Sequence, residues 1–216
     1  MRIRITFAKT DAMRFTGHLD LHHTWERTIR RAGLPLAYTQ GYSPHPRINL
    51  ASALPLGFTS DCEIVDIWLE AEMPTADIKA ALEHAAPPGM RILDTRQVDD
   101  RAPTLQTIVE ASDYTITFLN RVPSLGEKCQ ALLAADALPR RWREKAYDLR
   151  PLILNLHPLS DDEDRRQRIS VQLTTREGAT GRPEEVIAVL GEMLEDTRVH
   201  RERLIFKEMI PSQETA

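Results

Sequence analysis

A chain of 216 residues that is 42% apolar and 28% charged has enough hydrophobic material for one large or two small cores, which argues against intrinsic disorder. Its 28 Lys and Arg against 32 Asp and Glu leave a net charge of −4, so it does not coat nucleic acid by bulk positive charge, and any such contact must come from a local patch. Cys62 and Cys129 fit neither CxxC spacing nor a disulfide framework and read as buried small residues, and no window approaches 18 consecutive apolar residues, which points to a cytoplasmic protein without a membrane partner.

The alternation Arg-Ile-Arg-Ile-Thr-Phe predicts a first strand over Arg2–Lys9. The pattern then changes to that of a helix over 16–32, with Leu21, Trp25, Ile29 and Ala32 on one face, Thr16 as N-cap and Gly33 with Pro35 as the stop. Residues 39–47, with Gly41 and the paired Pro44 and Pro46, form a loop of defined shape, and 48–54 reads as a strand. A further strand over 62–70 is expected to pair with it. A helix over 75–86 ends at Pro87-Pro88-Gly89, and Met90–Val98 closes the set. The order is βαββαβ, the split arrangement of a ferredoxin-like unit.

Charged residues 99–106 read as a linker, after which the same order recurs: strand 109–120, helix 124–135 capped by Ser124, strand 147–156, a solvated loop 161–166, strand 168–175, helix 183–194 and strand 204–209. The expectation is an α+β protein of two tandem ferredoxin-like units with antiparallel sheets, residues 1–98 and 107–211, followed by a polar tail at 212–216.

Four separated blocks carry a resemblance: Arg14-Phe-Thr-Gly-His-Leu-Asp20, Arg27-Thr-Ile-Arg-Arg-Ala-Gly-Leu-Pro35, Gly41-Tyr-Ser-Pro-His-Pro-Arg47 and Leu54-Pro-Leu-Gly57. In order and spacing they resemble the radical SAM-linked family of unknown function, and weaker similarity continues from Arg150-Pro151 to His200-Arg201. Members of that family occur alone or attached to the end of a radical SAM protein, so the resemblance implies a radical SAM protein as partner. With two cysteines the chain lacks the CxxxCxxC arrangement of such an enzyme and is not expected to be one itself.

Three groups of residues are candidates for function. On the first helix His23, Arg27, Arg30 and Arg31 fall at i, i+4, i+7 and i+8, a basic stripe suited to phosphates unless it is simply a solvated face; residues 2–47 hold eight Lys or Arg against three Asp or Glu. The loop 41–47 brings together Tyr42 for stacking on a base, Arg47 for an anion and His45 for a hydrogen bond or a proton transfer, the competing reading being a structural loop. Arg14 and His18 lie just upstream of the stripe. A second basic group, Arg140, Arg141, Arg143, Lys145 and Arg150 with Trp142 and Tyr147, mixes cations and aromatics as single-strand binders do. His18-Leu19-Asp20 has the HxD form of a metal site, with His45 or His157 as third ligand, but short motifs without structural context are mostly chance and no metal or cofactor is expected.

The reading favoured by these residues is a non-catalytic accessory module of a radical SAM enzyme that binds RNA or an RNA-linked substrate through Arg14, His18, His23, Arg27, Arg30, Arg31, Tyr42, His45, Arg47, Arg141, Arg143 and Arg150, with no DNA partner expected. The rival from another class is a metal-independent endoribonuclease with His45 or His18 as general acid or base. A protein–protein scaffold without RNA binding is the third reading.

Overall fold

The computed structural model describes residues 1–142, 145–176 and 178–207. Strand β1 (Arg2–Lys9) buries Ile3, Ile5 and Phe7 on one face, as the alternation requires. A turn of 3₁₀ helix over Asp11–Met13 follows, and helix α1 (His18–Arg31) is capped by Gly17 in an extended conformation. Thr16 is not the N-cap, because its amide still bonds the Met13 carbonyl and belongs to the preceding turn. Leu21, Trp25, Thr28 and Ile29 form the buried stripe of α1, with Trp25 edge-on to Phe7 at 4.9 Å between ring centroids.

Strand β2 (Ile48–Leu50) is shorter than the strand read at 48–54, and β3 (Phe58–Trp68) starts earlier than the one read at 62–70. In β3 a bulge slips the alternation by one residue: Phe7 pairs with Glu63, yet Lys9 pairs with Ser60. Phe58, Ser60, Glu63, Val65 and Ile67 therefore share one buried face, and a strict period of two finds only the part beyond the bulge. Helix α2 (Thr75–Ala85) and strand β4 (Met90–Val98) form where expected.

The stretch read as a linker is fastened down. Arg2, itself buried, donates to the carbonyls of Ala102 and Pro103 and engages Asp66 with its remaining donors, while Leu105 of the short helix α3 (Leu105–Ile108) is fully buried.

Strand β5 (Val109–Phe118) and helix α4 (Leu125–Ala134) follow, with Ser124 at the N-cap position in a left-handed conformation and without a side-chain cap bond. The strand read at 147–156 is split: β6 (Pro139–Trp142) and β7 (Lys145–Asp148) make a separate two-stranded ribbon, a 3₁₀ turn intervenes, and β8 (Ile153–Leu159) joins the main sheet. Strand β9 (Arg168–Arg176), the two-residue β10 (Ala179–Thr180) and helix α5 (Pro183–Val189), shorter than the helix read at 183–194, lead to β11 (Thr197–Phe206). The strand read at 204–209 begins at Thr197, because two of its three early buried positions, Thr197 and Arg201 on either side of Val199, are polar and an apolar pattern does not register them. Residues 208–216, including the expected tail, lie outside the described residues.

The result is a mixed α+β protein with a mostly antiparallel nine-stranded sheet. The main path runs β10-β9-β5-β11-β3-β1-β4, with β2 pairing β3 and β8 pairing β9. Each half shows the same neighbours: β4-β1-β3-β2 in the first, β11-β5-β9-β8 in the second, all antiparallel. The halves join through β3, which pairs with β2 at Val65–Ile67 and in parallel with β11 at Phe58–Ser60.

Register also places the helices. Directly paired residues point to the same face, so the chain Phe7–Glu63, Lys9–Ser60, Ser60–Arg201 and Arg201–Tyr114 carries the Phe7 face of the first half onto the Tyr114 face of the second. The core under α1 and α2 and the core under α4 and α5 therefore lie on one side of a continuous sheet. Between the two helix pairs that side is polar, with Lys9, Ser60, Glu63 and Arg201 all buried.

Candidate nucleic-acid interface

Helix α1 turns Leu21, Trp25 and Ile29 inward and leaves His23, Arg27, Arg30 and Arg31 exposed on its outer side, as their spacing requires. Arg27, Arg30 and Arg31 line one groove of about 550 Å³ together with Met13, Thr16, Thr24 and Pro87. The Thr16 hydroxyl thus stands beside three guanidinium groups, whereas the Thr24 hydroxyl donates to the Asp20 carbonyl at 2.7 Å and accepts from Arg27. Arg30 also pairs with Glu26 at 2.9 Å, and His23 lies 4.0 Å from the same carboxylate, so part of the charge is neutralised within the helix.

The loop 41–47 is the tip of a small hairpin. Tyr38 bridges Pro46, the Thr39 amide donates to the His45 carbonyl at 2.8 Å, and the His45 amide donates to the Thr39 hydroxyl at 2.9 Å. This neck holds the loop open to solvent, and Tyr42 is 107% exposed. The Arg47 guanidinium stacks over the Trp68 ring with its carbon 4.6 Å from the centroid, which orients it while the residue remains exposed. Tyr38 lies near enough to Arg30 to raise its pKa, which sets the hairpin neck beside the C-terminal end of the stripe.

His18 opens α1, at the opposite end from the hairpin. Twelve residues separate it from Arg30, about 18 Å along the helix axis. His18 and His45 are therefore not brought together, neither as an acid–base pair nor as ligands of one ion, and His157 lies on β8 in the other half. Partial burial, then the neighbouring His22, push the His18 pKa down against the pull of Glu63, which disfavours its charged form. Among the described residues no group of three or more His, Cys, Asp or Glu is placed to hold a metal ion. Arg14 faces away from the α1 groove into a second hollow, held by a 2.8 Å bond from its Nε to the Gly57 carbonyl.

The second basic group is largely occupied by the fold. Arg140 pairs with Glu185, and Arg150 donates to the carbonyls of Leu133 at 3.0 Å and Ile153 at 3.1 Å. Arg141 is exposed on β6, whereas Arg143 and the Trp142 side chain lie outside the described residues. Residue spacing alone missed the Thr16 hydroxyl, the anchoring role of Tyr38, and Arg198, which joins Arg14 only through the pairing of β11 with β3.

Where the halves meet, Lys9 is buried and donates to the carbonyls of Phe58 at 3.2 Å and Arg14 at 3.3 Å. Burial lowers its pKa to about 8, with Glu63 opposing and Arg201 assisting. Between pH 8 and its ordinary 10.5 the folded chain has released this proton and the unfolded chain has not. The unfolded state then binds more protons, so this group adds stability as pH rises through that window; below pH 8 the full cost of burying the charge is present. The difference in urea-unfolding free energy between parent and Lys9→Met is expected to shift in favour of the parent from pH 8 to 10.5. A difference that stays constant would show that Lys9 does not titrate there.

Fold and site together define an α+β protein with a basic helix face and an exposed aromatic hairpin on one half. The chain belongs to the family described as uncharacterized protein conserved in bacteria (DUF2344), whose model matches residues 2–183. Comparison with curated proteins returned no match. Among solved structures, a chain of a Cbf5–Nop10–Gar1 complex is similar at 10% identity over 96% of this chain and 50% of that chain, with a TM-score of 0.51. A chain of an H/ACA RNP bound to a substrate RNA containing 2′-deoxyuridine is similar at 10% identity over 96% and 49%, with a TM-score of 0.47. The chain thus spans about half the length of these solved chains, and at such identity the first likeness establishes a shared fold. No helix among the described residues is long and apolar enough to cross a membrane.

Proposed function

We propose that the chain is a non-catalytic accessory module, built of two tandem ferredoxin-like units (1–98 and 107–211 around the segment 99–106), that binds RNA with the outer face of α1 and the 41–47 hairpin on behalf of a radical SAM protein. The observation that carries the RNA part is the convergence of Arg27, Arg30 and Arg31 with the Thr16 hydroxyl on one groove, with Tyr38 beside Arg30 leading to a hairpin presenting Tyr42, His45 and Arg47. Guanidinium donors with the Thr16 hydroxyl beside them suit phosphate oxygens, and an exposed tyrosine suits an unstacked base. Arg14, His18, His23, Arg141 and Arg150 would be peripheral to this surface. The repeated strand order of the two halves supports the tandem-unit reading. The radical SAM partner rests on the resemblance of the four sequence blocks, and RNA binding rests on the chain's own residues, since a shared fold hosts many functions.

The test is binding of a labelled single-stranded oligouridylate to the parent and to the triple variant Arg27→Gln, Arg30→Gln, Arg31→Gln, over a range of salt. The three side chains are exposed, so the variant should keep its circular dichroism spectrum and urea midpoint. The expected result is weaker binding with a salt slope shallower by about 2 units on a log–log plot, from three lost phosphate contacts at roughly 0.7 each on a single strand. Unchanged affinity and slope would remove the stripe from the proposal. RNA cleavage abolished by His45→Ala would replace binding alone with the endoribonuclease reading.

A further inference from the structure

We propose that the hollow at the β3–β11 seam is a mononucleotide site, with a phosphate between Arg14 and Arg198 and a base against Phe15 and Leu56. The hollow encloses about 360 Å³, within the range of small-ligand pockets, about 300–1,000 Å³. Both halves build it. Arg14 and Phe15 come from the turn between β1 and α1, Leu56 from the approach to β3, Leu194 and Glu195 from the approach to β11, and Arg198 from β11 itself.

Two cations, Arg14 and Arg198, face this hollow alongside a single lining carboxylate, Glu195. Arg14 gives its Nε to the Gly57 carbonyl, Arg198 gives one Nη to the Thr197 carbonyl at 3.1 Å, and neither makes an ion pair among the described residues. Their remaining N–H groups have no acceptor from the described residues. Partial burial and then the charge of Arg198 depress the Arg14 pKa against the pull of Asp11, so a second cation stands close enough to be felt. Behind the floor, Lys9 donates to the carbonyls of the lining residues Arg14 and Phe58 and adds a third positive centre. An anion held between the two guanidinium forks would relieve this repulsion with charge-assisted hydrogen bonds.

The remaining wall is apolar and left in water: Phe15 is 77% exposed and Leu56 59%, and the Arg14 guanidinium stands 5.3 Å from the Phe15 ring. A bare inorganic anion would leave that wall unused, and an apolar ligand would leave the guanidiniums unpaired. A phosphate attached to a planar base satisfies both, and the Glu195 carboxylate can accept from amino or imino groups of the base. The site is separate from the α1 groove. Segment 11–17 divides the two, with Met13 and Thr16 lining the groove and Arg14 and Phe15 the hollow, so either assignment can fail alone.

The experiment is calorimetric titration of the full chain with uridine and adenosine monophosphate and, in parallel, with the two nucleosides and inorganic phosphate. Saturable binding of a monophosphate is expected, with the nucleosides and phosphate each weaker. Arg198→Ala and Phe15→Ala, both at exposed side chains, should each cost about tenfold in affinity while the urea midpoint holds. The Arg27/Arg30/Arg31 variant should bind nucleotide as the parent does. A preference for 5′-phosphorylated over 5′-hydroxyl oligouridylate that Arg198→Ala abolishes would assign the source to an RNA end; no such preference would assign it to free nucleotide. The proposal is overturned if neither monophosphate binds, if phosphate alone binds as tightly, or if both single variants bind nucleotide like the parent.

Discussion

Replacing Glu63 by alanine is expected to destabilise the folded chain by about 3–5 kcal/mol, read as a lower urea midpoint at unchanged slope. Glu63 is 2% exposed and accepts two bonds from one Nη of Arg201, at 2.9 and 3.1 Å; Arg201 is 1% exposed and also donates to the Tyr114 hydroxyl and, at 2.8 Å, to the Ala53 carbonyl. Burial opposes the charge on Arg201, but Glu63 and Tyr114 more than offset it and raise its pKa. Removing the carboxylate would leave a buried guanidinium beside Lys9 with no counter-charge. The loss is a large share of a typical total stability of about 5–15 kcal/mol, and it falls at the junction that ties β3 of the first half to β11 and β5 of the second. The double variant Glu63→Leu, Arg201→Met should recover much of it, since two apolar side chains have no desolvation cost to offset. A loss below about 1 kcal/mol for Glu63→Ala would mean that water reaches the pair and solvates the orphaned cation.

The second large effect is expected from Gly89→Ala. Gly89 has φ +91°, and a Cβ there would lie 2.7 Å from the Met13 amide nitrogen, 2.8 Å from its Cγ and 3.0 Å from the Ala12 Cβ. The Gly89 carbonyl meanwhile accepts from the Thr10 amide at 2.8 Å, so the two turns are fastened together and cannot part freely. Left-handed backbone and overpacking together should cost about 2–4 kcal/mol. Gly33→Ala makes the control: φ is +68° there too, but nothing lies within 4 Å of the added carbon, so only the backbone cost of about 1 kcal/mol is expected. The displaced segment is the ridge between groove and hollow, so Gly89→Ala should weaken oligouridylate and mononucleotide binding together, unlike either arginine variant. Binding of both at parental affinity by Gly89→Ala would show that the ridge does not position the two sites.

The geometry separates basic residues that the sequence groups as equals. Arg27, Arg30 and Arg31 converge on open space, whereas Arg140 and Arg150 already hold Glu185 and main-chain carbonyls and offer little to a ligand. Replacing Arg150 should therefore read mainly as a change in stability.

Four elements of the first half and the exposed face of α1 are legible in the chain alone. Strand β1, helices α1 and α2 and strand β4 follow from periods of 2 and 3.6 and from Gly and Pro stops, because one-sided burial leaves a periodic trace along the chain. The tertiary structure decided the rest. The bulge in β3 and the buried Arg201 in β11 break the apolar pattern for partners distant in the chain: Ser60 pairs with Lys9 of β1 and with Arg201 of the opposite half, and Arg201 needs Glu63. The hollow between Arg14 and Arg198 depends on the same parallel pairing of β3 and β11, which sets side by side residues 184 positions apart along the chain. No local period records such a contact, because its free energy comes from charges and backbone groups that meet only after the sheet has closed.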